Sequence, residues 1–513
     1  MKKNVFALVA SFVLAFATAP IRAEVRLPHI LSSHMVLQRG QPVHVWGWAA
    51  PGEAVAVAFH GVKARTEADD LGRWSIYLPP EQAGGPYSLT VSGTTHRITL
   101  TDVMVGDVWF AAGQSNMQLP LMGFPGSAVV RDGAEEIANA THANVRLLHF
   151  PDQASPYPQP DQGATWTLCT PATASTFSAV AYFFAREIAQ REHVTVGMVD
   201  SSWGGTPAEA WVSMDTLGAN AGLMPVFAEW ARISDDNMDR PAIDAMWKRR
   251  DDAARAAGKP LPWHPWQPGD LESWEPSWLY NGMVAPAINF PIRGVIWYQG
   301  EQNTPVERAV MYQRIFPALI HDWRKHWREG DFPFLFVQLA NFTSVPAENW
   351  AVVREAQRRT LGLANTAMAV TADIGDPDNV HYADKQDVGH RLALAALALS
   401  YGAKIEYSGP LYRQASPVSG PEGPAMRVWF DHVAGGLVAK GGALTGFEVA
   451  GLDHKFVPAT ARIDGDTVWV SSPGVPHPDY VRYGWANAPL LNLYNRAGLP
   501  ASPFTSEENI PAP

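Results

Sequence analysis

The sequence predicts an α/β protein with β-rich regions at both ends, and three observations carry that expectation. Apolar and polar residues alternate with period two from 24 to about 100. From about 101 to 405, short apolar runs alternate with stretches of helical period. Beyond about 410 the strand-like alternation returns. Period-two stretches read as half-buried antiparallel strands, whereas strand–helix alternation implies a parallel sheet covered on both faces.

The elements follow in chain order. Lys2 and Lys3 precede an apolar stretch from Val5 to Ala17 and small residues ending at Ala23. Residues 1–23 therefore read as a secretory signal peptide cleaved after Ala23, so the mature protein is expected to be exported, periplasmic or extracellular. Residues 24–100 carry strand-like runs at Val43–Trp48, 54–58, 74–77, 87–91 and 96–100, punctuated by Pro51-Gly52, Asp69 to Gly72 and Gly84-Gly85-Pro86. Such spacing predicts an N-terminal β-sandwich domain. In 101–405, strands are predicted at 103–112, 194–199, 294–298, 334–339 and 367–371, and helices at 178–191, 307–327, 349–361 and 384–400. Asp384 is the expected N-cap of the last helix, whose stripe Val388, Leu392, Ala395, Ala396 and Leu399 faces inward. The pattern breaks at about 218–280, a charged and Pro/Trp-rich insertion. Residues 406–513 form the C-terminal β-rich segment.

Composition narrows the function. At 513 residues the chain is expected to hold roughly two to four domains. The net charge is −11, with 39 Lys+Arg against 50 Asp+Glu, which gives no basic footprint for nucleic acid. No run after the leader is long enough to span a membrane. Cys169 is the only cysteine, which excludes an intrachain disulfide and a cysteine-based zinc site.

In an open parallel sheet, ligands gather at the carboxyl ends of the strands. Those ends read Gly113-Gln114-Ser115-Asn116-Met117, Asp200 to Pro207 with Gly204-Gly205, Trp297 to Asn303 with Gln299-Gly300-Glu301, and Asp373 to His381. A serine on a Gly turn, backbone Gly donors, an amide side chain and an Asp-x-x-His pair meet the needs of acyl transfer. Serine needs a base within hydrogen-bond reach, which His381 supplies and Asp378 orients. The Ser115 N–H, a Gly204 or Gly205 N–H and the Gln299 side chain are the expected oxyanion donors. Two other readings compete. Asp373, Asp376, Asp378 and His381 also suit a metal site of a sugar hydrolase or deacetylase. A non-catalytic carbohydrate-binding protein on a hydrolase scaffold is the other alternative, although it has no need of Ser115, Asp378 and His381.

Met117 departs from the Gly-x-Ser-x-Gly elbow and argues against an α/β-hydrolase fold. Together with Ser201 to Pro207, Leu279 to Met283, Ile296 to Glu301, Asp378 to His381 and Asp384-Lys385-Gln386, the Ser115 motif resembles the sialate O-acetylesterase family of SGNH hydrolases. The resemblance implies an SGNH-type three-layer α/β/α sandwich that removes O-acetyl groups from sugars through an acetyl-serine intermediate. It implies Ser115 as nucleophile, His381 as base, Asp378 as its partner, and Gly205 and Gln299 as oxyanion donors. Gln302 departs from the small Ser common after Gly-Glu in that family. The implied substrates are O-acetylated mono-, oligo- or polysaccharides, either sialic acid or plant polysaccharide such as xyloglucan or xylan. No metal and no cofactor is expected, and the oligomeric state is left open.

Gln114, Asn116, Trp203 and Glu301 lie in the site loops as candidate substrate-binding residues, Glu301 alternatively bracing a neighbouring loop. The sequence holds 20 Trp residues, and indole faces stack on sugar rings. Trp263, Trp266, Trp274 and Trp278 in the insertion are therefore candidates to line a glycan cleft, core packing being the competing role. His149, His264, His321 and His326 are read as surface or core histidines.

Overall fold

One strand organises the molecule. β1, Arg97–Gly113, runs 17 residues without interruption. Its first half pairs antiparallel with Gly84–Ser92 and parallel with Val36–Gln38, inside the N-terminal β region. Its second half, Asp107 to Gly113, pairs parallel on both sides within the central sheet. The sequence reads as two strands here because Thr101-Asp102 is polar and Asp102 takes a left-handed φ of 53°. The register jumps from Leu89↔Leu100 to Tyr87↔Val103, so these residues form a bulge and not a break. The expected boundary at 100/101 therefore falls inside a strand, and apolar side chains on both sides of it share one continuous core.

The computed structural model describes residues 24–259, 271–344, 348–420 and 423–510. The predicted leader, residues 1–23, and Trp263, His264 and Trp266 of the insertion lie outside them. The other central strands are β2 (His142–His149), β3 (Val196–Ser202), β4 (Gly294–Tyr298), β5 (Phe334–Gln338) and β6 (Thr366–Val370). Their order is β6-β5-β4-β1-β3-β2, all parallel, with Thr167–Cys169 antiparallel at the β2 edge. Four helices pack on this sheet: α1 (Ala179–Glu192), α2 (Val306–Trp327), α3 (Trp350–Thr360) and α4 (Lys385–Ser400). Successive β1 residues point to opposite faces. Trp109 meets Phe184 of α1, and Phe110 meets Trp323 and Trp327 of α2. Helices thus cover both faces. The helix starts are capped as their sequences suggest: Ser178 Oγ accepts the Ala181 N–H, and Asp384 Oδ1 the Asp387 N–H.

The N-terminal strands show strict alternation, as in Arg73–Leu78, where Trp74, Ile76 and Leu78 are buried and the residues between them exposed. The C-terminal strands form two four-stranded antiparallel sheets around a second apolar cluster that includes Met426, Val428, Phe430, Val468, Val481 and Phe504. Arg354 of α3, fully buried, ties this region to the central sheet. Its guanidinium donates to the carbonyls of Leu339 and Ala340 after β5 and of Ala486 and Asn487 beyond it. The insertion contributes helices Pro225–Met238 and Arg240–Ala256, the second with no buried residue. No helix among the described residues is long and apolar enough to cross a membrane.

Candidate active site

The chain leaves β1 toward β2 and β3 on one side and returns to β4, β5 and β6 on the other. The strand order therefore reverses at β1, and the crevice at its carboxyl end is where an open α/β sheet binds ligands. Ser115 sits there. Gly113 takes φ +140°, and a Cβ on it would lie 2.0 Å from the Tyr298 carbonyl oxygen, so only glycine lets β1 end this close to β4. The next residues form a single helical turn, Ser115–Gln118, with Ser115 partly exposed at its start.

The β3 and β4 loops flank that turn. A Cβ on Gly204 would lie 3.3 Å from Ser115 Cβ, so the β3 loop passes directly against the serine. Gly204 N–H is already used, donating to Gln118 Oε1 at 2.8 Å. Gly205 N–H and Ser115 N–H have no protein acceptor among the described residues. This separates the two glycines: Gly205 is the open donor. The Gly205 carbonyl accepts the Trp274 indole N–H at 2.7 Å, so Trp274, 5% exposed, braces this turn from below and does not offer its face to a sugar. Trp203 and Trp278 are half-buried.

Gln299 is fully buried, and its amide nitrogen donates to Asn303 Oδ1 at 2.7 Å and to Thr206 O at 3.2 Å. Asn303 Oδ1 also accepts the Ala208 N–H, which fixes both side-chain orientations. The expected oxyanion donor is thus committed to Asn303 of its own loop and to Thr206 of the β3 loop. Gln114 and Asn116, expected at the substrate, lie beneath the cleft at 3% and 1% exposure. Gln114 Oε1 accepts the N–H groups of Gly300 and Gln302, which staples β1 to the β4 loop.

β6 stands three strands away from β1, and its long loop crosses back over the sheet. Asn116 Nδ2 donates to the Val380 carbonyl at 3.0 Å and to Glu301 Oε1 at 2.6 Å. This bond docks the residue before His381 against the residue after Ser115. The His381 ring is half-buried, edge-on to Phe124 with centroids 5.4 Å apart. Burial, and then the nearby Lys385 charge, push its pKa down to about 4, so the imidazole is neutral at neutral pH. The Asp378 carboxylate is exposed, and its N–H caps onto Asp376 Oδ1. Among the described residues, no hydrogen bond joins Ser115 Oγ, the His381 ring and Asp378.

The alternative metal set does not assemble. Asp373 is held by Arg391 at 2.6 and 2.9 Å, away from any shared centre with Asp376, Asp378 and His381. The described residues hold one group with ligand spacing, Asp215, Asp322 and His326. Ser213, Thr216 and Lys325 already occupy its carboxylates.

One pair at the strand ends escaped the sequence reading. His149 Nδ1 lies 2.9 Å from Asp200 Oδ2, and Ser202 Oγ donates to the other oxygen of this buried carboxylate. The bond to Asp200 holds the imidazole pKa above its usual value. The signal was available: His149 ends β2 and pairs with Asp200 near the end of β3.

The comparison with known proteins decides the family. Residues 257–398 match the family described as "Carbohydrate esterase, sialic acid-specific acetylesterase". The sialate O-acetylesterase of Mus musculus is 30% identical over 430 residues, covering 75% of this chain and 75% of its own. The chain belongs to the sialate O-acetylesterase family. The human enzyme of that name is 29% identical over 432 residues, covering 75% of this chain and 73% of its own. A crystal structure described as a novel carbohydrate acetylesterase from Xanthomonas citri is 39% identical, with TM-score 0.80 over 94% of this chain and 100% of that one. This member of the family is accordingly a carboxylic ester hydrolase.

Proposed function

We propose that the esterase removes O-acetyl groups from carbohydrates through an acetyl-serine intermediate on Ser115. The observation that carries this reading is the docking of the His381 loop onto the Ser115 turn, through Asn116 and Val380, at the reversal of strand order. His381, neutral, takes the Ser115 hydroxyl proton as Oγ attacks the acetyl carbonyl carbon. Ser115 and Gly205 N–H groups receive the developing oxyanion. Gln299 joins them only by exchanging its 3.2 Å bond to Thr206 O. Collapse breaks the ester C–O bond, and His381 returns the proton to the departing sugar oxygen. Water, deprotonated by His381, then releases acetate and restores Ser115. Asp378 orients the imidazole in the substrate complex, where catalytic hydrogen bonds commonly tighten.

The SGNH-type three-layer α/β/α description fits a parallel sheet with helices on both faces. Export through the 1–23 leader places the enzyme in the periplasm or outside the cell, where O-acetylated sialic acid or plant polysaccharides such as xyloglucan and xylan are the fitting substrates. Acetate release from a panel of these glycans by the mature protein tests the reading. Release by wild type and none by Ser115→Ala is expected; equal release by both overturns it.

A further inference from the structure

The lysine of the Asp384-Lys385-Gln386 motif lies buried beside the His381 loop, and the acyl-transfer chemistry gives it no part. Lys385, fully buried, is the first residue of α4. Its Nζ donates to Asn116 Oδ1 at 2.7 Å and stands 3.7 Å from the centre of the Tyr382 ring. Asn116 in turn donates to Glu301 and to the Val380 carbonyl, so one amide joins α4, the β4 loop, the nucleophile turn and the His381 loop. No hydrogen bond joins the ammonium to a carboxylate among the described residues. Glu301 is one side chain removed, with Oε2 buried and unpartnered.

We propose that Lys385 is a positioning residue of the esterase: through Asn116 and the Val380 carbonyl it fixes the His381 loop against Ser115 and keeps a buried cation beside that loop. The inference rests on His381 being the base. The other charged groups on elements around His381 are Asp373, Asp376 and Asp378 of its own loop, Asp384, Asp387 and Arg391 of α4, Glu301, and Arg131. Asp376 and Asp378 are exposed, Asp373 is paired with Arg391 at 2.6 and 2.9 Å, and Arg131 is paired with Asp384 at 2.6 Å. Lys385 is therefore the one buried cation in the set with no hydrogen-bonded carboxylate; burial pulls its pKa down to about 7, so it is charged across the acidic range. Its charge opposes imidazolium, and burial acts in the same direction. A base that stays neutral at mildly acidic pH follows.

The test combines the pH profile of kcat/KM with an NMR titration of the His381 imidazole. Lys385→Met is expected to move both the acid limb and the imidazole titration upward by roughly one pH unit. Glu301→Gln is expected to move neither upward, and Lys385→Arg to keep the wild-type limb. If Lys385→Met does not fold, the double variant Lys385→Met/Glu301→Gln is compared with Glu301→Gln alone, and its titration is expected to lie above that of the single Glu301 variant. A titration in Lys385→Met that coincides with wild type, or in the double variant that coincides with Glu301→Gln, overturns the proposal. Activity retained by His381→Ala would instead overturn the base assignment, while the NMR titration still reads the effect of Lys385.

Discussion

In the proposed mechanism Ser115 and His381 act on the same proton, so their losses should not add. Ser115→Ala and His381→Ala are each expected to abolish most turnover, with the double variant little worse than either, as measured by acetate release. Gln299 gives a finer test. Its amide holds the Gly205–Thr206 turn and can reach the oxyanion only by exchange, so Gln299→Ala should lower kcat by about 10²–10³-fold with little change in KM. An intact kcat with a raised KM would make it a substrate-binding group instead. The His381 pKa of about 4 lies below its unfolded value, so the unfolded chain takes up the extra proton first as pH falls. That contribution to stability is complete above about pH 6.5 and fades toward about pH 4. In His381→Gln the melting temperature should fall less steeply between those pH values than in wild type.

At the scale of elements, the close meeting of β1 and β4 sets where Ser115 stands. Gly113→Ala places a methyl group against the Tyr298 carbonyl at a φ that L-residues avoid. It should cost at least about 2–3 kcal/mol, read as a lowered denaturation midpoint, together with lost activity. Much of this layout was legible beforehand. Apolar runs ending in Gly-bearing polar loops marked the four site strands, because a buried parallel strand must be apolar and its loop must turn sharply. Other features were hidden for physical reasons. A bulge at Thr101-Asp102 looks like a loop in sequence, since polarity alone does not reveal that pairing resumes. Lys385 stands in the sequence only as part of the Asp384-Lys385-Gln386 motif, and the Tyr382 ring and Asn116 that surround it come together only in the fold. Gln114 and Asn116 carry the polar chemistry of substrate contacts but spend it on the loops around them. His149 reads as a surface or core histidine because its strand end holds no glycine turn.

For the whole molecule, the two apolar clusters imply two cooperative regions joined by a polar clasp. Arg354 is the buried part of that clasp. Arg354→Met leaves the carbonyls of Leu339, Ala340, Ala486 and Asn487 without this donor, and should cost at least about 3 kcal/mol. Calorimetry of the variant should show the C-terminal region melting before the rest; a single unshifted transition would show that the clasp does not couple them. The N-terminal strands, sharing a core with the central sheet through β1, should melt with it. These scales meet in one claim, that the acetyl group passes through Ser115 in the crevice where the strand order reverses. Rapid quenching of the wild-type enzyme during turnover of an acetylated glycan, followed by peptide mass mapping, tests it most directly. The account predicts one acetyl group on the peptide containing Ser115, absent from Ser115→Ala, which also releases no acetate. An acetyl group on another residue, or wild-type acetate release by Ser115→Ala, would contradict it.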